Sequence, residues 1–176
     1  MNGPERLAPR LRRHATTVFG QMSALATELG AINLGQGFPD TDGPDFVRDA
    51  AIRAIAQGRG NQYPPAHGLP ELRQAIATHQ SSFYGLEWDW RTDVVVSTGA
   101  SEAIQSALMA LVDQGDEVLI FEPWFDIYQV AVDIARGVTV GVPLRRADLR
   151  PDIEALSAAI TPRTRVLLLD RKSTRL

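Results

Sequence analysis

The sequence has no cysteine, which excludes disulfides and thiolate metal sites. It has no run near the roughly 20 apolar residues that a membrane-spanning helix needs. Its first residues are basic (Arg6, Arg10, Arg12, Arg13), but no apolar stretch of signal-peptide type follows them. A cytoplasmic location with no membrane partner is therefore expected, with the basic segment a solvated arm. Neither sign of charge dominates: the formal net charge is −3, so no nucleic-acid partner is expected. No G-x-G-x-x-G is present and the glycines are too sparse for a dinucleotide-binding turn. Histidine is scarce, and His14, His67 and His79 all precede residue 100. There is no internal repeat and no low-complexity linker.

What is present suits one globular domain. The 176 residues are 44% hydrophobic, enough for a sizeable core. The stretch from Val94 to Ile104 organises the chain. Val94, Val95 and Val96 form a β-branched run that predicts a buried strand. Ser97, Thr98, Gly99, Ala100 and Ser101 carry little side-chain bulk, so another molecule can approach the backbone. A helix is expected from near Ser101, with Ala103, Ile104, Ala107, Leu108 and Leu111 on one face. The N–H groups and positive dipole end of such a helix form an anion site suited to a cofactor phosphate. An ordinary turn with Ser101 as N-cap explains the same residues.

The rest of the chain alternates helices and strands. Helical spacing runs over Thr17–Leu29, with Gly30 as the stop. Ile32–Asp40 reads as an extended piece entering a loop, where Gly35 and Gly37 permit a close backbone contact to a small ligand or simply a turn. Pro44 opens a helix lined by Phe46, Val47, Ala50, Ala51, Ala54 and Ile55. Asn61–Gly68 is a proline-interrupted loop in which Tyr63 is either a packing aromatic or a functional one. A further helix runs from Leu69 to about Tyr84. Strands are expected at Glu117–Phe121, Val138–Val142 and Arg165–Leu169, with helices at Asp126–Ala135 and after Asp152. Strand–helix alternation gives an α/β fold with a largely parallel sheet flanked by helices.

Gly99-Ala-Ser-Glu-Ala103 also resembles the G-x-S-x-G nucleophile elbow of α/β-hydrolases, which would make Ser101 a nucleophile. In that fold the histidine follows the serine in the chain. Here every histidine precedes it, and Ala103 stands in place of the last glycine.

Six segments stand together in one order: Asn33-Leu-Gly-Gln-Gly-Phe-Pro-Asp40, Gln62-Tyr-Pro-Pro65, Gly68-Leu-Pro-Glu-Leu-Arg73, Thr98-Gly-Ala-Ser-Glu-Ala103, Gly115-Asp-Glu-Val118 and Glu122-Pro-Trp-Phe-Asp-Ile-Tyr128. In this the chain resembles the class I/II aminotransferases, pyridoxal-phosphate enzymes of fold type I. Within them it is most similar to the branch holding kynurenine aminotransferases and the actinobacterial N-succinyldiaminopimelate aminotransferase. The resemblance runs from about Thr17 to Leu169. It implies transfer of an amino group between an amino acid and a 2-keto acid, with pyridoxal 5'-phosphate as cofactor and no metal. It implies that Gly99, Ala100 and Ser101 form the phosphate cup, and that Phe125 stacks on the cofactor ring. It implies that Tyr63 reaches the cofactor phosphate of a second subunit, so that the complete form is a homodimer, and that Gly37 contacts the substrate carboxylate through its backbone. Trp124 is expected to be a packing residue. The implied division places residues 1–44 in an N-terminal arm and part of a small domain, and 45–169 in an incomplete cofactor-binding large domain. Residues 170–176 form a tail that departs from the family pattern.

The departure falls where the family carries an Asn-x-Pro-x-Asn-Pro-x-Gly segment; here Asp170-Arg-Lys-Ser-Thr-Arg-Leu176 follows the last strand. The Schiff-base lysine, the ring-nitrogen aspartate and the carboxylate-binding arginine have no counterpart. Lys172 is the only lysine among seventeen arginines, and its place in the pattern does not suit the catalytic role. The tail is expected to be foreign or frameshifted, and this chain alone to be inactive, poorly stable and prone to associate. A non-catalytic chain that binds the cofactor phosphate is the alternative function. Aromatic, sulfur-containing and succinylated diamino-acid donors are all compatible with the residues present.

Overall fold

Strand β1 (Glu117–Glu122) lies at the centre of a parallel sheet. Val118, Leu119 and Ile120 are each at most 1% exposed, so both faces of the strand are covered, as a parallel strand requires. One ladder joins it to β2 (Val138–Pro143), with Val118 opposite Thr139 and Ile120 opposite Gly141. The other joins it to β3 (Thr164–Leu168), with Val118 opposite Val166 and Ile120 opposite Leu168. The sheet order is β2-β1-β3. The computed structural model describes residues 6–14, 16–35 and 41–170.

Alternation along β1 divides the core in two. Val118 and Ile120 pack with Leu108, Val112, Tyr128, Ala131 and Val132, beneath helices α4 (Gly99–Leu111) and α5 (Ile127–Ile134). Leu119 and Phe121 pack with Val142 and Leu144, against Ala155, Leu156 and Ala159 of α6 (Ile153–Ala159). Burying each of these aliphatic side chains contributes about 1.5–3 kcal/mol relative to leaving it in water. The expected α/β arrangement, a parallel sheet flanked by helices, is therefore present.

The remaining helices are α1 (Val18–Glu28), α2 (Asp45–Ala56) and α3 (Pro70–Tyr84). Thr17 caps α1, its hydroxyl accepting from the Gly20 N–H at 3.1 Å, and Asp152 caps α6 by accepting from the Ala155 N–H at 2.9 Å. No residue of α1 or α2 is buried, so their apolar stripes lie open. Among the described residues no helix is long and apolar enough to cross a membrane. The chain divides into two compact units, Gly37–Thr98 and the combination of Met1–Gln36 with Gly99–Leu176.

Two expectations are corrected. Val94–Val96 does not join a ladder, and the sheet among the described residues has three strands rather than four. The backbone groups of this run are taken elsewhere. Arg73, 7% exposed, donates to the carbonyls of Val94 at 2.8 Å and Arg91 at 2.7 Å, with its guanidinium 5.5 Å from the Trp90 ring centroid. The Val96 N–H donates to the His67 carbonyl at 3.0 Å. The basic N-terminal segment is also not wholly solvated. Pro9–His14 forms a 3-10 helix against α5. Arg13 grips Asp133 through two hydrogen bonds of 2.9 and 2.6 Å, and His14 lies 2.5 Å from the same carboxylate. Asp133 is 7% exposed near the carboxyl end of α5, where the helix dipole opposes a negative charge. The Arg13 guanidinium relieves that conflict, His14 adds a second contact to the same carboxylate, and the segment is held as a result.

At the amino end of β1, Glu117 is 4% exposed. It accepts from Thr161 at 2.6 Å and from Arg163 at 2.9 and 2.5 Å. The Thr161 hydroxyl, followed by Arg163, outweighs burial and holds its pKa below 4.5. A depressed folded-state pKa contributes stability above the unfolded value that is lost as pH falls through the folded one. Urea midpoints should therefore fall as pH drops below about 4.5. Glu117→Gln should be less stable at pH 7 and show a shallower acid dependence. An acid slope equal to that of the unsubstituted chain would refute this account. Gly68 has φ +98°, and a Cβ there would lie 2.6 Å from Val96 Cβ. Gly85 has φ +68° with open space around it. Gly85→Ala should cost about 1–2 kcal/mol of left-handed strain, and Gly68→Ala about 1–3 kcal/mol more from overpacking. Equal losses in urea unfolding would contradict the contact with Val96.

Candidate functional site

The parallel sheet fixes where a site can form. Residues 112–116 turn the chain from α4 back into β1, so α4 runs antiparallel to the strand it covers. Its N-terminus thus lies toward the carboxyl end of β1. The link from β1 to α5 carries Phe125, and Asp170 follows the carboxyl end of β3. In α/β sheets this edge is where ligands bind.

α4 begins at Gly99, whose φ is +81° and around whose position an added Cβ meets nothing within 4 Å. Glycine is the residue that turns the chain this way without strain. The helix therefore starts two residues before Ser101, and Ser101 stands inside the first turn rather than as N-cap. Ala100 and Ser101 are exposed, and their N–H groups belong to the turn for which a helix supplies no acceptor four residues back. The nucleophile-elbow geometry is not formed, because no strand precedes the turn and Ser101 is helical.

Phe125 is 45% exposed. Its ring centroid lies 5.9 Å from that of Phe19 at an interplanar angle of 59°, and 5.8 Å from that of Tyr128 at 83°. Trp124 packs against the α4–α5 side of the core, as expected. Tyr128 is 8% exposed, and Asp170 lies near enough to act on its hydroxyl. Burial first, and then Asp170, pushes the phenol up to about 12.

Gly99, Ala100, Ser101 and Phe125 thus belong to the unit that contains the sheet. Tyr63 belongs to the other unit, fully exposed in the loop before α3. Gly37 and Lys172 lie outside the described residues. The residues present fit a ligand with a phosphate and a flat ring. An uncrowded helix start suits a dianion, and a half-exposed aromatic face suits a planar ring. Sequence reasoning did not single out the contact of Tyr128 with Phe125; the signal for it was their i, i+3 spacing.

The sequence matches the family model for aminotransferase class I and II over residues 30–171. It is 50% identical over 163 residues to a probable N-succinyldiaminopimelate aminotransferase of Mycobacterium tuberculosis, covering 92% of this chain and 41% of that protein. It is 40% identical over 169 residues to a methionine aminotransferase of Escherichia coli, covering 96% and 44%. The solved N-succinyldiaminopimelate aminotransferase from Mycobacterium tuberculosis superposes with a TM-score of 0.88 at 48% identity, over 94% of this chain and 43% of that one. The chain therefore spans less than half the length of these relatives.

The environment of Tyr128 gives a direct test. A tyrosine whose folded pKa is raised contributes stability below pH 10 that is lost as pH climbs toward 12. In an absorbance titration at the tyrosinate band, a late step near pH 12 should be present in the folded chain and disappear in Tyr128→Phe. A titration left unchanged by Tyr128→Phe would refute this account of the phenol.

Proposed function

The chain belongs to the class I and II aminotransferases, and from that premise we propose that it contributes part of an active site moving an amino group between an amino acid and a 2-keto acid. The family is pyridoxal-phosphate dependent. The observation that supports the reading best is the conjunction, within one compact unit and at one sheet edge, of the open start of α4 and the half-exposed ring of Phe125. When bound, the cofactor supplies an electron-accepting ring for chemistry at the amino-acid α-carbon. The chain's own residues do the holding. The N–H groups of Ala100 and Ser101 and the Ser101 hydroxyl bind phosphate, Gly99 lets it approach, and Phe125 covers one face of the ring and excludes water.

The remaining assignments belong to the same proposal. Tyr63 reaches the phosphate of a second copy, so the complete protein is a homodimer, and Gly37 contacts a substrate carboxylate. The protein works in the cytoplasm. Residues 1–44 are an arm and part of a small domain, 45–169 the cofactor-binding large domain, and 170–176 a departing tail. This is a division by role, whereas the two compact units follow contact density within the chain. Donors of the N-succinyldiaminopimelate, methionine, kynurenine and glutamine types all suit the residues present. Lys172, the only lysine, is given no catalytic role. A second reading is a chain that binds the cofactor without chemistry. Borohydride reduction with peptide mapping on the complete form separates the two, since only a lysine bonded to the cofactor is trapped at one position.

Titration of the chain with pyridoxal 5'-phosphate tests the site. Ser101→Asp places a carboxylate where the helix dipole welcomes it but where it repels a phosphate. The variant should keep its far-ultraviolet circular dichroism and bind at least about tenfold more weakly, a loss of about 1.4 kcal/mol. Phe125→Ala should also weaken binding. Affinities unchanged by both substitutions would remove the phosphate cup and the ring platform together.

A further inference from the structure

We propose that Asp133, through its grip on Arg13 and His14, is the positioning residue that holds α1 in place and sets the Phe19 ring against that of Phe125. The inference rests on the reading of Phe125 as the platform for the cofactor ring. Phe125 is nearly half exposed, so its ring has rotamer freedom unless neighbours remove it. Among the described residues two aromatic rings meet it, Tyr128 at 5.8 Å and Phe19 at 5.9 Å between centroids. Tyr128 is fixed by the core around it. Phe19 is not, because α1 has no buried residue and supplies none to either core cluster. Val18, Met22 and Leu25 of its apolar stripe stand open. Packing of α1 therefore does not account for where Phe19 lies.

The tie is made before the helix begins. Arg13 donates to Asp133 from Nε at 2.9 Å and from Nη2 at 2.6 Å, a forked pairing that fixes direction as well as distance. His14 Nε2 lies 2.5 Å from Oδ2 of the same carboxylate. Asp133 is a firm post, 7% exposed and next in the chain to Ala131 and Val132 of the core. Two residues separate His14 from Thr17, whose hydroxyl caps α1. From His14 to Phe19 the chain spans at most about 14 Å, three steps that can be extended and two that are helical. Phe125 stands eight positions before Asp133, about 12 Å along a helix. The N-terminal segment is thus pinned near both ends of α5, with little slack between the pins. Releasing the pin at Asp133 leaves Phe19 with a single tilted ring contact and no buried neighbour on its own helix.

The test uses the full chain with isotope-labelled phenylalanine, the aromatic signals being assigned by their loss in Phe19→Leu and Phe125→Leu. The double variant Arg13→Ala, His14→Ala touches neither core cluster. It should shift or broaden the Phe19 and Phe125 signals while leaving β1 amide signals in place. Asp133→Ala should do the same from the other side of the tie. Arg13→Lys, which keeps the charge without the fork, should fall between the double variant and the unsubstituted chain. The same variants are titrated with pyridoxal 5'-phosphate, and the double variant and Asp133→Ala should bind it severalfold more weakly. Phe19 and Phe125 signals unmoved in both of those variants overturn the proposal. So does binding unchanged in both when Phe125→Leu weakens it. Should the signals move while Phe125→Leu binds the cofactor as the unsubstituted chain does, the platform reading of Phe125 fails and the placing of α1 by Asp133 stands.

Discussion

The constraint on which this structure depends is that β1 must be covered on both faces. A parallel strand with Val118, Leu119 and Ile120 pointing alternately to each side cannot leave either side in water. Coverage on one side comes from α4 and α5, and on the other from α6. Because each helix connects to its strand by a short segment, the helices run antiparallel to the strands they cover. The start of α4, the Phe125 link and Asp170 are thereby delivered to the carboxyl edge. The site's location is thus a consequence of burying one apolar strand.

Local pattern carried much of this in the sequence. The apolar run at Glu117–Phe121, the helical spacing over Leu69–Tyr84 and the alternation of strands with helices are short-range signals, and the corresponding elements form where expected. What was not legible depends on partners distant in sequence. Val94–Val96 has strand propensity, yet Arg73 and His67 supply its hydrogen bonds, so propensity yielded to a competing donor and acceptor. The start of α4 falls near Ser101 as expected, at Gly99, whose positive φ turns the chain where a serine cap was the alternative. The same holds for the site. Small residues at 99–101 and an aromatic at 125 can be read from the order of the motifs. The effect of Asp170 on Tyr128 reaches from a helix to a segment more than forty residues later and leaves no periodic trace.

Three carboxylates show how such distant ties divide the work. Glu117, at the amino end of β1, binds Thr161 and Arg163 and so clamps the turn that leads into β3. Asp133, near the end of α5, draws Arg13 and His14 onto the helix. Asp170, beyond the carboxyl end of β3, lies near the hydroxyl of Tyr128. The first two close on cationic partners and are consumed in holding the fold. The third acts, after burial, on the phenol of Tyr128 and pushes it up to about 12. The ties of Glu117 and Asp133 thus hold the amino end of β1 and the outer helix, away from the edge at which ligands bind in α/β sheets.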